Sequence, residues 1–352
     1  MTEFLAGHLS WGAVAALVGL IAGTVLGLAA RLGDFCTLGA LESALYGGDQ
    51  RRLRLWGVVL AVAILATQAG AAAGWIDLGE TYYHRVAWLP VASIVGGLTF
   101  GYGMALAGNC GFGALVRLGS GDLRAMVIVI ILAISGFVAL SGPLAPIRDR
   151  LFPQVDTDTP QSFEASFQRL DLPFSAFVAL VVVGLLVWAL SHPGLRASRR
   201  SVLWGAAAGL AVAFSFAGTS WVARESLGAV VVEGPSFVAA VGRALLWLMT
   251  ASGGGLGYTV GAVFGITLGS FIGSVWRGLF RWEACEDPRE LGRQIGGAAL
   301  MGIGGVVAMG CSIGQGVSAV AALAWSGPVT LAAIALGAWF GLRQLIESFQ
   351  PE

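Results

Sequence analysis

The chain has 352 residues, 57% of them hydrophobic and 11% charged, with 20 bases balancing 20 acids for a formal net charge of zero. A soluble chain carries about 25% charged residues, a nucleic-acid binder shows a basic face, and four cysteines are too few to staple a secreted chain of this length. Composition thus excludes all three and leaves an all-α polytopic membrane protein. The 53 glycines, roughly double the usual ~7%, suit helices that pack closely in lipid.

A crossing needs about 20 mostly apolar residues. In chain order the runs 12–30, 54–74, 90–108, 124–143, 171–190, 202–217, 256–275, 293–309 and 328–346 predict about nine transmembrane helices. The leader before the first run holds Glu3 and no base, so that run reads as a true span and not a signal peptide. Four apolar pieces are too short to cross: 36–46, 111–118, 220–231 and 312–325. Such pieces, broken by glycine, predict re-entrant or half helices enclosed by protein. The stretch 236–252 is ambiguous, because Arg243 and Gly253–Gly255 interrupt it.

Every basic residue is arginine, and the arginines are unevenly shared between the two sides. Segments 31–56, 117–124, 191–201, 276–293 and the C-terminal tail hold 14; the alternate segments hold 6. The positive-inside rule then places the N-terminus outside and the C-terminus in the cytoplasm. The longest loop, 144–171, falls outside.

The segment GGLTFGYGMALAGNCGFG at 96–113 echoes GGAALMGIGGVVAMGCSIG at 296–314. By the arginine count the two copies start on opposite sides, as inverted-topology repeats do. This divides a single membrane domain, 1–352, into a first repeat over 12–143, a periplasmic loop and linker span over 144–201, and a second repeat over 202–346. A weaker echo pairs 27–36 with 209–220, where the hydroxyls of Thr219 and Ser220 stand in place of a cysteine.

Cys36, Cys110 and Cys311 lie at glycine-rich breaks where a span should stop, in GDFCTLGA, GNCGFG and GCSIGQG. Cys285 sits in a charged loop and reads as incidental. Costly polar groups in apolar surroundings mark function. Asn109, Ser312 and Gln315 beside the repeat cysteines, Thr37 beside Cys36, and Thr219 and Ser220 are therefore candidates to line a path. No Cys-x-x-Cys pair exists, and His8, His84 and His192 sit at span ends or in loops, so neither a metal nor another cofactor is called for. No arginine lies within the cysteine breaks. What remains there is weak S–H donors and helix ends, which can hold a soft anion loosely enough to release it.

These motifs, in this order within a nine-span chain, resemble the YeeE/YedE family of bacterial sulfur transporters over roughly residues 12–346. The resemblance implies an hourglass built from an inverted repeat, with short helices pointing inward from both faces. It further implies thiosulfate uptake across the inner membrane, with no enzymatic step, through a relay of neutral thiols. Cys110 would receive the ion from the periplasm, Cys36 would hold it near the middle, and Cys311 would pass it toward the cytoplasm. The partners it implies are thiosulfate, the lipid bilayer and a cytoplasmic sulfur carrier of the TusA type, with no nucleic acid. Asp34, Thr37 and Asn109 depart from the family pattern and leave a selenium or other sulfur compound open as substrate. A membrane thiol oxidoreductase and a small-solute channel are the readings from other classes.

Overall fold

The structure is a computed structural model and describes residues 10–157, 159–251, 255–284 and 287–348. Its long helices are α1 (Trp11–Gly33), α3 (Arg51–Ala72), α4 (Pro90–Ala107), α6 (Leu123–Leu140), α7 (Phe174–Leu190), α8 (Arg199–Glu225), α10 (Tyr258–Trp276), α11 (Pro288–Val307) and α12 (Ser326–Ser348). Shorter helices α2 (Thr37–Leu45), α5 (Gly111–Gly119) and α9 (Val238–Thr250) and a π-helical turn, Gly314–Ala319, lie between them. Among the described residues no sheet forms; strand-like pairing is limited to three isolated bridges.

Among the described residues, seven segments are long and apolar enough to cross a membrane. The other two expected crossings are also helical. α7 is a 17-residue apolar helix, and α11 spends its first two turns on Arg289, Glu290 and Arg293 before becoming apolar. The expected pieces 36–46, 111–118 and 312–325 fall on α2, α5 and the π-helical turn.

The piece expected at 220–231 is corrected. α8 runs unbroken to Glu225, and the short helix comes later, as α9 within the ambiguous stretch 236–252. Arg243 does not interrupt it. A side chain 54% exposed lets the guanidinium leave the helix face while the backbone stays regular.

Glycine seams hold the bundle together. Along α1, Gly19, Gly23 and Gly27 meet the backbone of Tyr258, Ala262 and Ile266, while Gly261, Gly265 and Gly269 of α10 meet the carbonyls of Ala16, Leu20 and Thr24. A Cβ at any of these six positions would overlap the facing carbonyl. This small-x-x-x-small spacing is what lets two helices touch where no hydrophobic effect separates protein from lipid. Gly96 and Gly103 of α4 meet α11 around Gly304 and Gly297 in the opposite direction, and Gly97 and Gly101 meet α12 around Thr330 and Ile334. The same partnering recurs elsewhere: α8 lies along α3 as α1 lies along α10, and α11 along α6 as α12 along α4.

Candidate functional site

Each described cysteine follows the same local construction. α1 ends at Gly33, and Asp34 turns left-handed (φ 59°); α4 ends at Ala107, and Gly108 is left-handed (φ 73°); α11 ends at Val307, and Met309 is left-handed (φ 56°). In all three the left-handed residue stands two before the cysteine, at Cys36, Cys110 and Cys311. Glycine adopts this conformation freely. Asp34 and Met309 hold it against a steric penalty, which surrounding structure must sustain.

The cysteines then start the next piece of structure. Cys36 and Cys110 are the N-caps of α2 and α5. The Cys110 Sγ accepts the Gly113 N–H at 3.4 Å. The Cys311 Sγ accepts two, from Gly314 at 3.3 Å and from Phe237 at 3.3 Å. With backbone N–H groups on the sulfur, each S–H is left to donate. That of Cys110 points to the Thr37 hydroxyl at 3.9 Å, and Thr37 donates to the Ser312 Oγ at 3.3 Å. Neighbours of Cys36 and Cys311 therefore meet at Cys110, although 275 residues separate Thr37 from Ser312. All three described cysteines are free thiols; Cys110 and Cys311 are buried and Cys36 is half-buried.

A run of aromatic rings packs this centre. Phe35 stands 6.1 Å from Phe112, and Phe112 stands 5.7 Å from Phe237, with Trp56 5.0 Å behind Phe35. All three phenylalanines are buried, so polar groups beside them have little solvent to bond. Both amide atoms of Asn109 are buried without a partner. Gln315 donates to the Ala308 and Met309 carbonyls, but its Oε1 is likewise unpartnered. A buried unpaired polar atom costs about 1–3 kcal/mol, and the amides of Asn109 and Gln315 leave three such atoms close to the cysteine breaks.

The remaining expected residues lie elsewhere. Thr219 and Ser220, expected at a break, are inside the continuous helix α8. Their hydroxyls serve backbone: Thr219 donates to the Ser215 carbonyl and accepts the Glu233 N–H, and Ser220 accepts the Asp77 N–H. His84 is buried with Nε2 2.9 Å from the Ala322 carbonyl, and burial lowers its pKa. His192 precedes the five-residue helix Pro193–Ala197 and makes no capping hydrogen bond through its side chain. Among the described residues no group of three His, Cys, Asp or Glu gathers as metal ligands do. Cys285 and His8 lie outside the described residues.

A cavity of about 700 Å³ opens between the first turn of α1, α9 and the start of α10, and reaches Ser236, Met309 and Gly310 beside Cys311. Sequence reading missed it, together with Phe237, Glu233 and Arg243. The signal was present in AVVVEGPSFVAA, where an acid and a Gly-Pro step break an apolar run.

A family profile described as sulphur transport matches residues 32–340. The chain belongs to this sulphur transport family. Two relatives carry the name thiosulfate transporter TsuA. That of Escherichia coli (strain K12) is 26% identical over 92% of this chain and 92% of its own length; that of Spirochaeta thermophila is 25% identical over 91% and 96%. As a member of the sulphur transport family with seven membrane-length apolar segments among its described residues, the protein is a multi-pass membrane protein.

Proposed function

We propose that the chain takes up thiosulfate through the cysteine centre, acting as a carrier and not as an enzyme. The observation that bears most weight is the junction at Cys110, where a thiol, two hydroxyls and an unpartnered amide converge from three distant segments. Sulfur accepts weak S–H bonds, and neutral donors hold a dianion without the deep trap that a fixed arginine would make. Both relatives, aligned across nearly their whole lengths, bear the name of a thiosulfate transporter.

In this reading the chain sits in a bacterial inner membrane with its N-terminus periplasmic and its C-terminus cytoplasmic, as the 14-to-6 arginine division favours. Residues 12–143 and 202–346 are the inverted halves of an hourglass, with 144–201 as loop and linker; the recurring helix partnerships support that division. The cavity then faces outward. Because its floor adjoins Gly310, the ion meets Cys311 and Gln315 first, then Cys110 beside Asn109, Thr37 and Ser312, and leaves past Cys36. That order differs from the one implied by family resemblance, in which Cys110 comes first, Cys36 lies in the middle and Cys311 comes last. Thr219 and Ser220 hold the segments around the cavity. A TusA-like carrier on the cytoplasmic side is the expected acceptor of the sulfur.

The reading is tested in a bacterial strain with no other route for sulfur. Expression of the chain should restore growth on thiosulfate as sole sulfur source; growth no better than the empty vector would count against it.

A further inference from the structure

Glu233 and Arg243 are the two charged residues among the described lining of the cavity, whose wall is otherwise neutral. The Arg243 Nη1 stands 4.0 Å from the Glu233 Oε2, the outer limit of an ion pair. The arginine is 54% exposed and the glutamate 19%, so the cation is available to something in the cavity while the acid is held back. Glu233 is fixed by its backbone, whose N–H donates to the Thr219 Oγ1 at 3.2 Å. Four residues further on, the Phe237 N–H holds the Cys311 sulfur. One short segment thus carries both the charge in the cavity and a support for the thiol beneath it.

We propose that Arg243 is the first holding site for the anion on its way to Cys311, and that Glu233 is the resident counter-ion which the incoming dianion must displace. The inference rests on the reading of the chain as a thiosulfate carrier. Low-dielectric walls focus the field of a lone charge and raise the local concentration of its opposite. A carboxylate 4.0 Å away cancels most of that field. The strength of the site is therefore set by whether Glu233 is charged.

Burial pushes the Glu233 carboxyl up to about 7, against the opposing pull of Arg243. The groups that face it are Arg243 from α9, the Thr219 hydroxyl from α8, Tyr82 from the Tyr82–Arg85 turn and Tyr258 from α10. Of these only Arg243 is charged near neutrality. Below that value Glu233 takes a proton and the arginine stands alone; above it the pair closes on itself. Thiosulfate stays a dianion throughout, so the site should weaken as pH rises.

The experiment is initial-rate uptake of labelled thiosulfate by proteoliposomes that hold the purified full chain. For wild type, KM should rise about tenfold between about pH 6 and about pH 8. Glu233→Gln should give a low KM at both pH values, and Arg243→Gln a KM about tenfold above wild type at about pH 6. Arg243→Lys should keep the pH dependence. An Arg243→Gln chain with wild-type KM at about pH 6, or a Glu233→Gln chain with the wild-type pH profile, would overturn the proposal. A wild type with no uptake would instead defeat the functional reading. The pair would then be decided by the infrared carboxyl band found in wild type and missing in Glu233→Gln: its midpoint should move to higher pH when thiosulfate is added, and an unmoved midpoint overturns the proposal.

Discussion

The Thr37 hydroxyl donates to the Ser312 Oγ at 3.3 Å, joining the residue after Cys36 to the residue after Cys311 beneath the Cys110 thiol. No local pairing could make this contact, and it decides how the three cysteine segments are aligned. Thr37→Val and Ser312→Ala should each lower folding stability by about 1 kcal/mol, the usual net value of one buried hydrogen bond. Each should also lower thiosulfate uptake by about tenfold at matched expression. The comparison needs the double variant: uptake in Thr37→Val/Ser312→Ala should be no worse than in the poorer single variant. Multiplied losses would mean that the two hydroxyls act apart.

The glycine seam between α1 and α10 should tolerate no side chain. At Gly269 a Cβ would strike the Thr24 carbonyl, whereas at Gly184 of α7 nothing lies within 4 Å. Gly269→Ala is expected to destabilise by about 1–3 kcal/mol, and Gly184→Ala to change stability by less than about 1 kcal/mol. Thermal melts of the two variants in detergent would check this, and equal melting temperatures would contradict it.

Much of the fold was legible because lipid demands long apolar runs, and all nine expected runs are helices. The cysteines were legible because glycine and polar residues punctuate those runs at Cys36, Cys110 and Cys311. The misplacement at 220–231 has a physical cause. Thr219 and Ser220 look like a break in sequence, yet Thr219 bonds back to the preceding turn of α8 and Ser220 braces the Asp77 backbone, so the helix continues. Arg243 looked like an interruption, but a long side chain at a cavity wall reaches solvent without disturbing its helix. The convergence of Thr37, Cys110 and Ser312 was not legible at all, since it depends on how distant half helices dock.

His84 ties stability to pH. Burial lowers its pKa from 6.5, and the neutral ring donates from Nε2 to the Ala322 carbonyl. A histidine with a depressed folded-state pKa takes up its proton more readily in the unfolded chain. The stability it contributes is therefore full above pH 6.5 and is lost as pH falls below that value. The melting temperature of wild type should drop more steeply between about pH 6.5 and about pH 5 than that of His84→Gln. Parallel slopes would remove His84 from the explanation.

Orientation can be read directly. Reporter fusions within 144–171 should be active in the periplasm, and fusions within 191–201 in the cytoplasm. In a chain whose single cysteine is the half-buried Cys36, a membrane-impermeant thiol reagent should label inverted vesicles and spare intact cells. Labelling of intact cells would restore the order in which Cys311 comes last.

The most direct measurement is uptake of labelled thiosulfate by proteoliposomes that carry wild type or one of four variants: Cys36→Ser, Cys110→Ser, Cys311→Ser and Cys285→Ser. Wild type and Cys285→Ser should take up the ion at similar rates, while each of the other three falls to the level of empty liposomes. Wild-type rates in all four variants would contradict a path through the thiols and leave a small-solute channel in its place.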